Sequence, residues 1–268
     1  MNDHLVPSER RWRGSGQPGE LSSGDLEWLE SRSAEDPGRG VGWDLNGWAD
    51  STWILHAMYE AADPEDRSHD DVRRDRIERG MDEPLIVNGV NLDEVTKSSG
   101  VPLGMSTPPG EGWSRLPWKD LGGRLGIELA RHLRPPSHGW FPFSSWPAWI
   151  QPPCEGSLDS GSATALVEAL IRHSPDGPAT RCHFLHVPTS WWGDQPSHVV
   201  ARLDSMPLFG NSPEQVFTAS NIWPADRAWF VYTDYDLMAT KISGTADLIN
   251  AIRSDPQVET LEWTRRHG

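Results

Sequence analysis

The stretch that decides the fold runs Trp229-Phe230-Val231-Tyr232-Thr233 and then Asp234-Tyr235-Asp236, before a second apolar run at Met238–Ile242. The first run is aromatic and β-branched, a composition typical of a half-buried strand. Two aspartates in the short gap are typical turn residues. Two strand-like runs separated by so few residues predict a β-hairpin.

The residues that follow the hairpin predict a helix and a last strand. Thr245 is a suitable N-cap, and Asp247 puts a carboxylate in the first helical turn. Apolar residues then recur at helical spacing, at Leu248, Ile249 and Ile252. Asp255-Pro256 ends the helix, and Val258–Trp263 reads as a strand. This order predicts an α+β fold, with a mixed or antiparallel sheet and helices packed on it.

The composition limits the classes of partner. The chain has 268 residues and a formal net charge of −15, whereas nucleic acids and anionic membranes are bound by basic surfaces. No apolar run reaches the ~18 residues of a spanning helix, and the start of the chain lacks the pattern of a secretory signal. Two cysteines, Cys154 and Cys182, form no disulfide framework. We therefore expect a cytoplasmic protein that binds neither nucleic acid nor membrane, and we assign no cofactor.

Fifteen tryptophans are the compositional anomaly. An indole is a large apolar body with one N–H donor, so it can fill a core in which aliphatic residues are scarce. Some of these rings could instead line a pocket for a flat, sugar-like or cationic ligand. Both interpretations stay open at the level of sequence.

Four segments are expected along the chain. Residues 1–20 are charged and rich in glycine and proline, which predicts a disordered N-terminal arm. Residues 21–134 form an N-terminal α+β half, and 157–268 a C-terminal one. Between them, residues 135–156 interleave prolines with aromatic side chains, which predicts an ordered connector without regular structure. The two halves are expected to form one loop-rich compact body.

Shorter patterns refine these halves. Ser51–Tyr59 is apolar and is interpreted as a strand, whereas Asp63–Arg79 is densely charged and predicts an exposed helix or loop. Leu158–His173 carries an apolar stripe at helical spacing. Strands are predicted at Thr180–Val187 and His198–Leu203.

The C-terminal pattern resembles a known family. The segments are Asn221–Trp229, with Trp-Pro-Ala-Asp-Arg-Ala-Trp at its end, then Thr233–Asp236 and Thr240–Gly244. They are similar to the tail of a family of actinobacterial, Streptomyces-like conserved hypothetical proteins. That resemblance implies a cytosolic bacterial protein and carries no activity, substrate or catalytic residue. The chain departs from the family pattern at Cys182-His183-Phe184, where a tryptophan is expected.

Several common catalytic signatures are absent from the sequence. It contains no phosphate-binding glycine loop, no dinucleotide fingerprint, no Gly-x-Ser-x-Gly elbow and no His-Glu-x-x-His helix. Asp234 and Asp236 could converge on a hard cation, or could simply stabilise the turn that contains them.

Two histidines and a cysteine are candidate metal ligands or catalytic groups, and two further histidines are not. His186 and His198 could meet across neighbouring strands, with Cys182 on the same strand face as His186. His183 would lie on the opposite face. Cys182 is also a conceivable nucleophile, although nothing marks its thiol as activated. His56, inside an apolar run, is interpreted as a hydrogen-bonded core histidine.

Two functions follow as hypotheses. The first is a binding or interaction protein of the immunity-protein kind, whose acidity would match a basic protein partner. The second is a small-molecule-binding protein or enzyme with a tryptophan-lined pocket. Its predicted ligand-binding residues are Trp191, Trp192, Trp223, Arg227 and Trp229. Asp234, Asp236, Arg227 and His186 would supply the polar groups of that pocket.

Overall fold

A computed structural model describes most of the chain. The described residues are 17–19, 21–33, 42–102, 104, 108–129, 135–137, 139–187, 197–205 and 218–262. The predicted arm at 1–20 therefore lies outside the described residues, apart from three positions that are taken up below.

The described residues form thirteen strands and six α-helices. The strands are β1 Gln17–Gly19, β2 Asp50–Leu55, β3 Met58–Ala61, β4 Ile86–Val87, β5 Val90–Asn91, β6 Trp113–Leu116, β7 Ile150–Gln151, β8 Arg181–His186, β9 Ser197–Arg202, β10 Asn221–Pro224, β11 Phe230–Thr233, β12 Ala239–Gly244 and β13 Glu259–Leu261. The helices are α1 Ser23–Arg32, α2 His69–Glu78, α3 Leu92–Val95, α4 Trp118–Leu125, α5 Ser160–Arg172 and α6 Ala246–Arg253. None of these helices combines the length and the apolar character that crossing a membrane requires.

One eight-stranded antiparallel sheet organises the molecule, in the order β1-β9-β8-β10-β11-β12-β2-β13. Strand β2 comes from the N-terminal half, yet it lies between β12 and β13 of the C-terminal half. The expected halves therefore share one sheet. The predicted α+β class, with an antiparallel sheet and helices packed on it, is confirmed.

The C-terminal pattern folds as its sequence predicts. Strands β11 and β12 form the hairpin, and Thr245 caps α6 by accepting a hydrogen bond from the Leu248 amide. The three apolar residues of α6 are buried. The last strand, β13, pairs with β2 and not with the hairpin. The register between strands that are distant in sequence could not be read from one chain.

The sheet has a buried core on each face. On one face, α5 and α6 cover alternate strand residues such as Ile54, Phe184 and Val231. On the other face, Trp53, Trp223 and Phe230 belong to a core that is rich in aromatic side chains. Since successive strand residues point to opposite faces, every central strand contributes to both cores. Tryptophan fills much of the second core, which agrees with the core-filling interpretation for these rings.

The first predicted strand is in fact two strands. His56 and Ala57 separate β2 from β3, and β3 leaves the large sheet to pair with β6 and β7 in a three-stranded sheet. The predicted connector contributes the short strand β7, although no regular structure was expected there. Within the predicted disordered arm, residues 17–19 form β1 and pair antiparallel with β9. This pairing corrects the boundary of that arm, because backbone hydrogen bonding to a sheet edge needs no apolar side chains.

His56 makes two hydrogen bonds at the break between β2 and β3. It is fully buried, with Nδ1 2.6 Å from the carbonyl oxygen of Cys154 and Nε2 3.0 Å from Oγ1 of Thr240. Since a carbonyl only accepts, Nδ1 carries the proton and Nε2 accepts from the threonine hydroxyl. Burial lowers the pKa of His56 to about 4. The histidine is therefore a satisfied, neutral core residue, as the sequence predicts.

The depressed pKa of His56 predicts an acid-dependent loss of stability. Above pH 6.5 the His56 ring is neutral in both the folded and the unfolded chain. As the pH falls, the ring is protonated first in the unfolded chain, and in the folded protein only near pH 4. A shift of this size removes about 3 kcal/mol from the free energy of unfolding between pH 6.5 and 4. We expect His56→Gln to show a correspondingly shallower pH dependence in urea titrations. NMR titration of the wild type would contradict the assignment if the His56 ring protonated near pH 6.5.

Helix α4 is capped by a residue from a distant strand. Its N-cap, Pro117, provides no side-chain hydrogen bond. The carboxylate of Glu259 in β13 instead accepts from the amides of Trp118 at 2.7 Å and Lys119 at 3.0 Å. A carboxylate at this position stabilises a helix both by hydrogen bonding and by its charge.

Removing that cap should destabilise the fold. We expect Glu259→Ala to lower the free energy of unfolding by about 1–2 kcal/mol, because two helix amides lose their acceptor. Chemical denaturation measures the change, with Glu128→Ala, an exposed carboxylate beyond the end of α4, as the matched control. Equal stability of the two variants would contradict the role of Glu259.

Candidate functional site

Two of the predicted pocket residues lie on opposite faces of the large sheet. Trp223 belongs to the aromatic core and is fully buried. Trp229 belongs to the helix-side core, where its Nε1 donates to Oγ of Ser174 at 3.0 Å. They cannot line one pocket, because the sheet separates them. Trp191 and Trp192 lie outside the described residues, so their predicted role stays a prediction.

Trp223 is part of a ladder of rings, the ring ladder, that crosses neighbouring strands. Its ring lies 4.9 Å from that of His183, at 16°, and 6.0 Å from that of Phe230, at 28°. The ring of His198 lies 5.1 Å from that of His183 and 6.2 Å from that of Trp223, and Trp48 stacks on Phe230. Cross-strand aromatic pairs of this kind stabilise a sheet beyond the area they bury.

Helix α1 covers the ring ladder through Trp28 and Asp25. The Trp28 ring lies 5.8 Å from both Trp223 and Phe230. Arg227 holds the helix in place, because its guanidinium lies 4.3 Å above the Trp28 ring and bonds Asp25 at 2.9 Å. The ion-pair partner of Arg227 is thus Asp25 and not Asp226, its neighbour in sequence. The carboxylate of Asp226 accepts from the Ala228 amide and stabilises the turn.

Arg227 adopts a left-handed backbone conformation, with φ of +56°. For a residue with a side chain this conformation costs about 1–2 kcal/mol. The same turn presents the carbonyl of Arg227 to Nε1 of Trp48 at 3.1 Å. One strained residue thus connects α1, the ring ladder and the turn before β11.

Two substitutions of Arg227 should separate the stability that its side-chain contacts contribute from the cost of its left-handed backbone conformation. Arg227→Ala loses the ion pair and the cation–π contact but keeps the left-handed turn. Arg227→Gly loses the same contacts and relieves the strain, so we expect it to be more stable than Arg227→Ala by about 0.5–1 kcal/mol. Thermal and urea denaturation measure the order, and the reverse order would argue against a strained turn.

The predicted histidine pair is corrected by the strand register. Leu185 of β8 lies opposite His198 of β9, so His198 shares a face with His183 and not with His186. Nδ1 of His183 and Nε2 of His198 are 3.0 Å apart. Burial lowers the pKa of His183, although the nearby Asp25 carboxylate opposes that shift. Burial likewise lowers the pKa of His186, to about 4.

The other candidate groups have structural roles. Asp234 is buried, and its carboxylate accepts from the Tyr232 hydroxyl at 2.9 Å and the Asp236 amide at 3.0 Å, which stabilises the hairpin turn. Burial raises the pKa of the Cys182 thiol to about 12, so it carries no reactive thiolate at neutral pH. Within the described parts of the chain, no group of three or more metal-ligating side chains occurs.

A surface that the sequence did not single out is formed by residues 69–95, the hairpin module. It contains α2, the two-stranded hairpin of β4 and β5, and α3. Six of the eight large apolar side chains that are exposed among the described residues belong to it. They are Met81, Leu85, Ile86, Val87, Val90 and Val95. An exposed apolar surface of this kind is typical of a binding site.

Ion pairs, and not an apolar core, hold the hairpin module together. Helix α2 buries none of its residues. Arg73 binds the carboxylate of Asp93 through two nitrogens, and Asp93 also accepts from the Leu85 amide at 2.7 Å. Arg76 binds Asp82 in the same bidentate way. The module thus has polar contacts inside and apolar side chains outside.

The start of α2, at His69 and Asp70, attaches the hairpin module to the rest of the protein. The His69 amide donates to the carbonyl of Trp146 at 2.9 Å, and the Asp70 amide donates to Oγ of Ser145 at 3.0 Å. The Asp70 carboxylate accepts from the Ser98 amide at 2.9 Å. These contacts fix the orientation of the exposed hairpin.

Comparison with protein families, curated proteins and solved structures gave no match. Function must therefore be argued from the two regions described above, the ring ladder and the hairpin module.

One sequence signal could have identified the hairpin. Asn88-Gly89 lies between apolar residues, and the two positions have φ values of +51° and +80°. Asn-Gly at such a position is a strong hairpin signal. Without that turn signal, Pro84–Val90 resembles a single short strand, and its composition gives no reason to expect exposed side chains.

Proposed function

We propose that the chain is a protein-binding protein of the immunity-protein kind, and that the hairpin module is its docking surface for a basic partner. The observation that carries the proposal is the concentration of exposed apolar side chains on that module. Ile86 and Val95, for example, are 63% and 65% exposed. Burying such side chains against a partner is favourable, by about 1.5–3 kcal/mol for each one that becomes fully buried.

The charge around the apolar surface supports a basic partner. Residues 69–95 contain eight carboxylates and four arginines, and the whole chain has a net charge of −15. The four arginines already pair with aspartates of the same module, as in Arg74 with Asp70 and Arg79 with Asp75. Such a surface attracts lysine- and arginine-rich proteins and repels a second copy of this acidic chain.

The alternative hypothesis of a tryptophan-lined small-molecule pocket has less support. Of its predicted members, Trp223 and Trp229 lie on opposite sides of the sheet. The guanidinium of Arg227 already contacts the Trp28 ring and the Asp25 carboxylate. The cytoplasmic location and the relationship to the actinobacterial family are part of the proposal, and they rest on the sequence pattern alone.

Peptide binding tests the proposal. The probes are two fluorescent peptides in which valine alternates with lysine or with glutamate, and anisotropy measures their affinities. We expect the lysine peptide to bind at least about tenfold more tightly than the glutamate peptide, and its affinity to fall with added salt. In the double variant Val87→Thr/Val90→Thr, we expect a further loss of about tenfold, because these paired side chains share one face of the hairpin and two apolar contacts are removed.

The control is Phe143→Ala, which removes an exposed apolar side chain outside the hairpin module. It should bind the lysine peptide as the wild type does. Equal affinity for the two peptides would exclude charge recognition. Unchanged binding by the double variant, with circular dichroism like that of the wild type, would exclude the hairpin as the docking surface.

A further inference from the structure

We propose that His183 and His198 form a two-imidazole binding site for a divalent transition metal, on the outer end of the ring ladder. This site is independent of the docking surface on the hairpin module. It replaces the predicted pairing of His186 with His198.

The spacing of the two nitrogens fits shared coordination. Imidazole nitrogens bind zinc at about 2.0–2.1 Å, which puts two ligands of one ion about 2.9–3.4 Å apart for angles between 90° and the tetrahedral value. Nδ1 of His183 and Nε2 of His198 are 3.0 Å apart. The two nitrogens therefore already have the separation that shared coordination requires, and the rings have to turn from the hydrogen-bonded arrangement until both lone pairs point at the ion.

The strands that carry the two histidines hold them close together. The two histidines lie on paired strands, with Val200 opposite His183 and Leu185 opposite His198. Trp223 stacks on His183 and fixes the plane of that ring. Ligands that are held at the required separation in advance lose little conformational freedom when the ion binds.

The chemistry of the ligands limits the class of ion. Two neutral imidazoles favour copper(II), nickel(II) and zinc(II) over calcium and magnesium, which prefer oxygen ligands. Binding requires the hydrogen now shared by the two rings to move to the outer nitrogen of the donor ring, so no net proton is lost. His183 is half-buried, so an ion can reach it from solvent, whereas His198 is buried. Among the neighbouring charges, Asp25 favours a cation, whereas Arg181 and Arg227 oppose it.

Calorimetric titration of the full chain with copper(II) and with zinc(II) tests the site. We expect His183→Phe, which keeps a ring against Trp223 but removes the nitrogen ligand, to weaken the tightest site at least about tenfold. His198→Phe should do the same. Electron paramagnetic resonance of the wild type with one equivalent of copper(II) should show two equivalent nitrogen ligands.

Thermal unfolding gives a second readout, because an ion that binds only the folded state raises the melting temperature. Zinc(II) should raise it for the wild type and for His186→Gln, the matched control on the opposite face of β8, and not for His183→Phe. The proposal is overturned if the wild type and His183→Phe bind both metals alike, or if the copper spectrum shows no pair of nitrogens.

Discussion

The pairing of β2 between β12 and β13 is the contact on which the rest of the structure depends. Six residues of β2 pair with β12 and three with β13, so a strand from the first quarter of the chain joins these two C-terminal strands into one sheet. Its alternation sends Ile54 into the helix-side core and Trp53 into the aromatic core. Without this strand, β13 would lose its partner, and with it Glu259 would lose its position at the N-terminus of α4.

The C-terminal hairpin, helix and strand could be predicted because all their signals are local: composition, turn residues, a cap and a proline. The break at His56 could not. A buried histidine inside an apolar run looks like part of a strand unless its partners are known, and those partners, Cys154 and Thr240, are 98 and 184 residues away. The three-stranded sheet and the strand at residues 17–19 were missed for the same reason, since each is defined by pairing and not by composition.

Site residues were harder to predict than elements, because a site depends on the register between strands. A shift of one residue moves every side chain of a strand to the other face. Alternation along β8 correctly separates His183 from His186, but which of them meets His198 is decided only by the pairing of β8 with β9. Trp223 and Trp229 were likewise grouped by sequence distance, although the sheet lies between them. The correct grouping, the ring ladder with α1 above it, joins residues that are about two hundred positions apart.

The hairpin module differs from the rest of the protein in where its apolar side chains lie. In the body, apolar side chains are buried on both faces of a sheet, and tryptophan compensates for the scarcity of aliphatic residues. In the module, the available valine, leucine and isoleucine side chains face outward, although burying them would have stabilised it. Exposed ion pairs contribute little, and a lone two-stranded hairpin is marginally stable. The module therefore gives up stability that its own residues could supply, which is the arrangement expected of a surface whose apolar side chains are meant for another molecule.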